Sequence, residues 1–125
     1  MLLGLLDQFS NRARARRLEG RVEFLGEQDG AQEGGLKRAL VLEFATRPVI
    51  QRAYLAQVGH QPETKSTIAL CIVSTQPDDE SVVTRVGEIF ARMFAKDALL
   101  DVVFLEPDQE NDLRKVCRAF YSRAT

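Results

Sequence analysis

The sequence predicts an α+β domain built on a β-α-β-β-α-β core, with one extra helix at the C-terminal end and a helical arm at the N-terminal end. Three observations predict it. Val82, Val83, Val86, Ile89, Phe90, Met93 and Phe94 recur at helical spacing, while Arg85, Glu88 and Arg92 fall away from that face. The stretch from Thr67 to Thr75 is rich in β-branched residues and apolar on both faces, the pattern of a central strand. Turn and breaker residues (Pro48, the polar run from Gly59 to Lys65, Pro77 and Pro107) divide the remaining apolar segments into short elements.

Taken in order, Val22-Glu23-Phe24-Leu25 reads as a short strand closed by a polar loop from Gly26 to Gly35. Leu36, Ala39, Leu40 and Phe44 then recur at helical spacing until Pro48 stops the helix. Val49 to Val58 has strand character, with Tyr54 and Val58 on one side and Leu55 on the other, and Thr67 to Thr75 follows the polar turn. Asp78-Asp79-Glu80 after Pro77 supplies an N-cap carboxylate and negative charge to the first turn of the main helix. Gly87 inside that helix costs roughly 1 kcal/mol against alanine, which implies close packing on the sheet. Leu99 to Leu105 is the next strand, ended by Pro107. Asp108 then caps a last helix with Leu113, Val116, Cys117, Phe120 and Tyr121 on its apolar face. The order implies a ferredoxin-like split, an antiparallel sheet with both core helices on one face and the terminal helix covering an edge or part of the open face.

A chain of 125 residues with 45% hydrophobic and 28% charged content fits one folded domain, without disulfides or metals to hold it. Charge divides it in two. Residues 1–21 carry five arginines against Asp7 and Glu19, a balance of +3, and read as an amphipathic basic arm. Residues 22–125 carry 12 basic and 16 acidic residues, a balance of −4, and read as the single domain. No stretch spans a membrane, and Leu2 to Leu6 is closed by Asp7 with its arginines on the wrong side for a signal peptide. Cys71 and Cys117 belong to no Cys-x-x-Cys pair and suit a reducing compartment, so the sequence reads as cytoplasmic.

No pattern assembles a catalytic site or a cofactor site. His60, with Glu63 nearby, has no second histidine or cysteine at ligand spacing, so a metal centre is not expected. Both cysteines lie on apolar faces, where a thiol stays protonated. Helix capping accounts for Asp78-Asp79-Glu80 and for Glu106, Asp108, Glu110 and Asp112. Gly34-Gly35 opens a helix without the lysine or hydroxyl residue of a phosphate loop. The arm's arginines could contact phosphates, but the domain is acidic and lacks paired platform aromatics, so no specific nucleic acid is implied. For the arm's leucines, docking on protein or on a second copy is favoured over an anionic membrane surface reached through residues 1–20.

The second and third strands carry a resemblance. Pro48-Val49-Ile50-Gln51-Arg52-Ala53-Tyr54-Leu55-Ala56-Gln57, then Ile68 to Val73, Leu100-Asp101-Val102-Val103 and a final Phe120-Tyr121, resemble the C-terminal domain of the SseB (enhanced serine sensitivity) family. The likeness runs over roughly residues 22–121. Ala119 stands where the family usually has proline, and an arginine-rich arm stands in place of the family's N-terminal domain. The resemblance implies a bacterial cytoplasmic protein with no catalytic residues to carry over.

The functional expectation is a non-catalytic module working through protein–protein contacts, with a protein partner or as a homodimer, through an open sheet face or the last helix. A small-molecule-binding domain or enzyme with its site on that open face is the alternative. Asp101 interrupts an apolar strand and so points to the open face or to a partner. Arg52, Tyr54, Asp101 and Tyr121 are the residues expected at an interaction surface, the tyrosines as anchors or else as core residues with their hydroxyls at its edge.

Overall fold

Residues 13–16, 22–60 and 66–123 are described by the structure, a computed structural model. The elements in chain order are β1 (Ala13–Ala15), β2 (Val22–Glu27), α1 (Ala31–Ala45), β3 (Ile50–His60), β4 (Ser66–Ser74), α2 (Glu80–Met93), β5 (Leu100–Phe104), α3 (Pro107–Leu113) and β6 (Tyr121–Ser122). The domain is α+β, and the predicted β-α-β-β-α-β order is present from β2 to β5.

The sheet differs from the antiparallel, split arrangement. Its order is β1-β5-β4-β3-β2, and it is mixed: β3 is antiparallel to β2 and β4, while β5 is parallel to β4 and to β1. Strands β2 to β5 therefore lie side by side in chain order, with nothing inserted between the two strands of either β-α-β unit. β3 is long enough to pair twice along one edge. Its C-terminal half meets β2, and Arg52 and Ala53 meet Ser122 and Tyr121 of β6.

Alternation along the strands sorts the core into two layers. Ala53 and Leu55 of β3, Leu70 and Ile72 of β4, and Leu100 and Val102 of β5 pack under Leu36, Leu40 and Phe44 of α1 and Val82, Val86 and Phe90 of α2. Tyr54, Ala56, Ala69, Cys71 and Val103 face the other way, against Leu113 and Cys117. β4 thus buries both faces, as its sequence predicts. α1 and α2 share one face, as expected of the two core helices, and α3 covers part of the other, as expected of the terminal helix.

The main helix is as expected, with the Asp79 side chain accepting from the Ser81 N–H at 3.0 Å and Gly87 buried. α1 begins earlier than predicted, at Ala31, so Gly34 and Gly35 lie in its first turns rather than in a loop. The predicted last helix is cut short. Its N-cap is Glu106 rather than Asp108, closed by a reciprocal bond from the Glu106 N–H to Gln109 Oε1 at 2.8 Å, and it ends at Leu113. Beyond it the chain turns, leaves Val116 44% exposed, and pairs β6 on β3. Arg123 fastens that end by donating to the carbonyls of Phe44 and Arg47 at 3.0 and 2.8 Å.

Of the predicted helical arm, residues 13–15 form a strand, β1, rather than helix. The apolar head of the arm, residues 1–12, lies outside the described residues, as does Glu63. Among the described residues no helix is long and apolar enough to cross a membrane.

Candidate functional site

Arg52 and Tyr54 are two residues apart on β3, so both side chains leave the same face of the sheet. Glu110 of α3 comes down onto that face between them. Arg52 donates through Nε and Nη2 to Glu110 Oε2 and Oε1 at 2.6 and 2.9 Å, and the Tyr54 hydroxyl donates to Glu110 Oε2 at 2.6 Å. The carboxylate is 9% exposed and Arg52 34%. The hydrogen bonds from Arg52 hold the Glu110 carboxyl below its ordinary range against the upward pull of burial, with Tyr54 adding to the effect. Tyr54 is pushed up to about 12, first by burial and then by the hydrogen bond it gives to a carboxylate. The one carboxylate thus ties a phenol and a guanidinium of β3 together. This cluster fastens α3 to the sheet.

Asp101 sits elsewhere on the same face. Its side chain is 4% exposed, and its oxygens accept from Arg14 Nε at 2.9 Å and Arg16 Nη1 at 3.1 Å. The residue thus faces neither solvent nor an open sheet: β1 supplies its counter-charges. Tyr121 lies on the opposite layer, its ring edge-on to Phe44 at 5.8 Å and its hydroxyl donating to the Phe44 carbonyl at 3.3 Å. Of the four predicted surface residues the structure joins Arg52 and Tyr54, and separates Asp101 and Tyr121 from them. Among the described residues every buried side-chain nitrogen or oxygen has a partner. Among the same residues no group of three histidine, cysteine or acidic side chains is placed to hold a metal.

The surface feature that sequence reasoning misses lies on the outside of α1 and α2. Ala39, Leu42, Ile89 and Met93 line a shallow seam of about 330 Å³ between the two helices, bordered by Glu43 and Arg92. Leu42 stands 75% exposed above it. Glu43 is anchored in place by Arg47 Nε at 2.9 Å and Arg85 Nε at 3.0 Å. Burial pushes the Glu43 carboxyl up, but those hydrogen bonds outweigh it and hold the group below its usual value. The missed signal is the sequence Leu40-Val41-Leu42, in which Leu42 falls off the helical face that Leu36, Leu40 and Phe44 define. A second, smaller cavity of about 130 Å³ opens where Leu36, Leu55, Ile68, Phe90, Phe94 and Leu99 meet.

The architecture is that of an α+β domain in which Arg52, Asp101 and Glu110 are held in internal ion pairs and an apolar seam lies between two surface helices. The model of the SseB protein C-terminal domain matches residues 31–123, and the chain belongs to that family. The match covers α1 through β6, including Arg52, Tyr54, Asp101, Glu110 and Tyr121. No curated protein and no solved structure matches the chain.

Proposed function

We propose that this domain is a non-catalytic cytoplasmic interaction module that receives a protein partner on the seam between α1 and α2. One observation carries the reading: Leu42, 75% exposed, stands above an apolar floor of Ala39, Ile89 and Met93 with charged residues at its border. An apolar centre ringed by polar groups is the anatomy of an interface. The seam replaces the two surfaces expected from sequence, because α3 lies on the sheet face and is itself too short to present an apolar stripe.

A small-molecule site on the sheet face has less to support it. Arg52 and Tyr54 are committed to Glu110, and Asp101 to Arg14 and Arg16. The enclosed cavity beside Leu99, at about 130 Å³, is well below the roughly 300–1,000 Å³ that holds a typical ligand.

The test places a photo-cross-linking residue at position 42 in cells that produce the protein, identifies the captured protein, and titrates the purified pair. Leu42→Asp is expected to abolish that binding while leaving the melting temperature unchanged, since an exposed substitution changes stability by no more than about 0.5 kcal/mol. Equal affinity of wild type and Leu42→Asp for the captured protein would remove the seam as the docking surface.

A further inference from the structure

β1 and β2 are consecutive strands, yet they occupy opposite edges of the sheet, with β5, β4 and β3 between them. The register fixes how far apart their facing ends are. Ala15 is level with Val102, Leu70 and Leu55, so Arg16, one residue on, is level with Tyr54; Val22 is level with His60. The two points are thus four strand spacings of about 4.8 Å apart across the sheet and six residues of about 3.3 Å apart along it, a diagonal of about 28 Å if the sheet were flat. A twist of about 22° per strand draws such corners together, to about 24 Å. The six residue steps from Arg16 to Val22 reach about 22 Å when fully extended. The described ends, Arg16 and Val22, thus stand about as far apart as six residue steps can span at all.

The fold nevertheless needs β1. Ala13 is 1% exposed within the layer under α2. Without Arg14 and Arg16, Asp101 is a carboxylate 4% exposed that loses both of its ion pairs, and an uncompensated buried charge is strongly destabilising. The edge of β5 is therefore incomplete until a β1 strand occupies it.

We propose that this pairing is exchanged between two copies of the chain: β1 of one copy lies on β5 of the other, giving a two-fold dimer with two Asp101–Arg14–Arg16 clusters. Short, strained connections are the usual cause of such exchange, because each strand keeps its native contacts while its connection is relieved. The exchange uses the β5 edge and is independent of the seam between α1 and α2, so either proposal can fail without the other.

Light scattering on the wild-type chain is expected to give twice its 14.0 kDa mass. Inserting a flexible Gly-Ser segment between Leu18 and Glu19, long enough to cross the sheet, is expected to halve that mass with the circular dichroism unchanged. A second measurement uses Arg14→Cys with Asp101→Cys, which face each other in the parallel register. Oxidised and run on a denaturing gel, this variant is expected at the dimer mass. A monomeric wild-type chain, a dimer whose mass the insertion leaves unchanged, or a disulfide confined within single chains would each overturn the proposal. If the cysteine pair fails to fold, the insertion result decides alone.

Discussion

Arg52 and Glu110, 58 residues apart, meet in a two-pronged ion pair at 2.6 and 2.9 Å that also takes the hydroxyl of Tyr54. Removing the carboxylate strands a phenol that is 1% exposed, at a cost of about 1–3 kcal/mol for an unsatisfied buried hydroxyl. Arg52, a third exposed, recovers water, so the ion pair itself adds no more than about 1 kcal/mol. Glu110→Ala is therefore expected to lower the urea midpoint clearly, and Tyr54→Phe to lower it less. In a double-mutant cycle the two should be coupled, by about 0.5–3 kcal/mol. Strict additivity would mean that the hydroxyl and the carboxylate act separately.

Glu110 and Tyr54 of this cluster, together with Glu43 in its separate pairing with Arg47 and Arg85, set a pH dependence at both ends of the scale. Glu110 and Glu43 are held below the ordinary value of 4.5, so their stabilisation is complete above that value and is lost as pH falls through their lowered folded values. Glu110→Gln should flatten the acid limb of a stability-versus-pH curve. Tyr54 is raised from 10.0 to about 12, so its contribution is complete below 10 and disappears as pH rises toward 12. A phenolate absorbance step near pH 12 that Tyr54→Phe abolishes is the expected signature; its persistence in the variant would assign the step elsewhere.

Cys71 and Cys117 are both free and buried, and burial raises both thiols, Cys117 to about 11 and Cys71 further. Thiolate is the reactive form, so native protein at neutral pH should resist alkylation. With increasing denaturant Cys117, 6% exposed at the margin of α3, should be modified before Cys71 on the central strand. Mass spectrometry of the alkylated peptides reads the order, and simultaneous labelling would mean that α3 does not open before the sheet.

Two backbone positions should respond to substitution in opposite directions. Gly26, at the bulge where Leu25 is skipped between β2 and β3, has φ +154°, and a Cβ there meets nothing within 4 Å. Gly26→Ala should destabilise by about 1–3 kcal/mol through conformation alone. Asp78, in the turn ahead of α2, has φ +60°. Asp78→Gly should be neutral or stabilising by up to about 1 kcal/mol, since glycine adopts that region without a steric penalty. Equilibrium unfolding in urea reports both.

The reach of the sequence can be judged from particular elements. α2 was legible because its apolar stripe, its Asp79 cap and its exposed arginines all agree. The last helix was overextended for a real reason. Leu113, Val116, Cys117, Phe120 and Tyr121 do fall at helical spacing, with no glycine or proline among them. What breaks the pattern is tertiary, the vacant stretch of β3 edge at Arg52 and Ala53 that Tyr121 and Ser122 fill. In β1 the arginines dominate the pattern as charge and hide a strand. Ala13-Arg14-Ala15-Arg16 alternates with period two, and its arginine side matches the face of β5 from which Asp101 projects. Arg52 and Tyr54 are expected from sequence at an interaction surface and Glu110 at a helix cap, whereas the structure joins the three in one internal cluster. Two polar groups aimed together from a strand buried on both sides require a partner, and that requirement was the available signal.

β3 joins the sheet through pairings of very different reach along the chain. Its hairpin with β4 closes over a short turn, whereas β6 returns to it from about 70 residues away and β1, in the exchange proposed above, joins β5 only when two copies associate. Contacts that close small loops form at little entropic cost, and those that close large ones come late. The rate-limiting ensemble should therefore hold the β3–β4 hairpin with both flanking strands still loose. Substitutions in Leu70 or Leu55 should slow folding, while Tyr121→Ala and Ala13→Gly should leave the folding rate unchanged and quicken unfolding. How long the native molecule persists is then set by the two outlying strands rather than by the centre of the sheet.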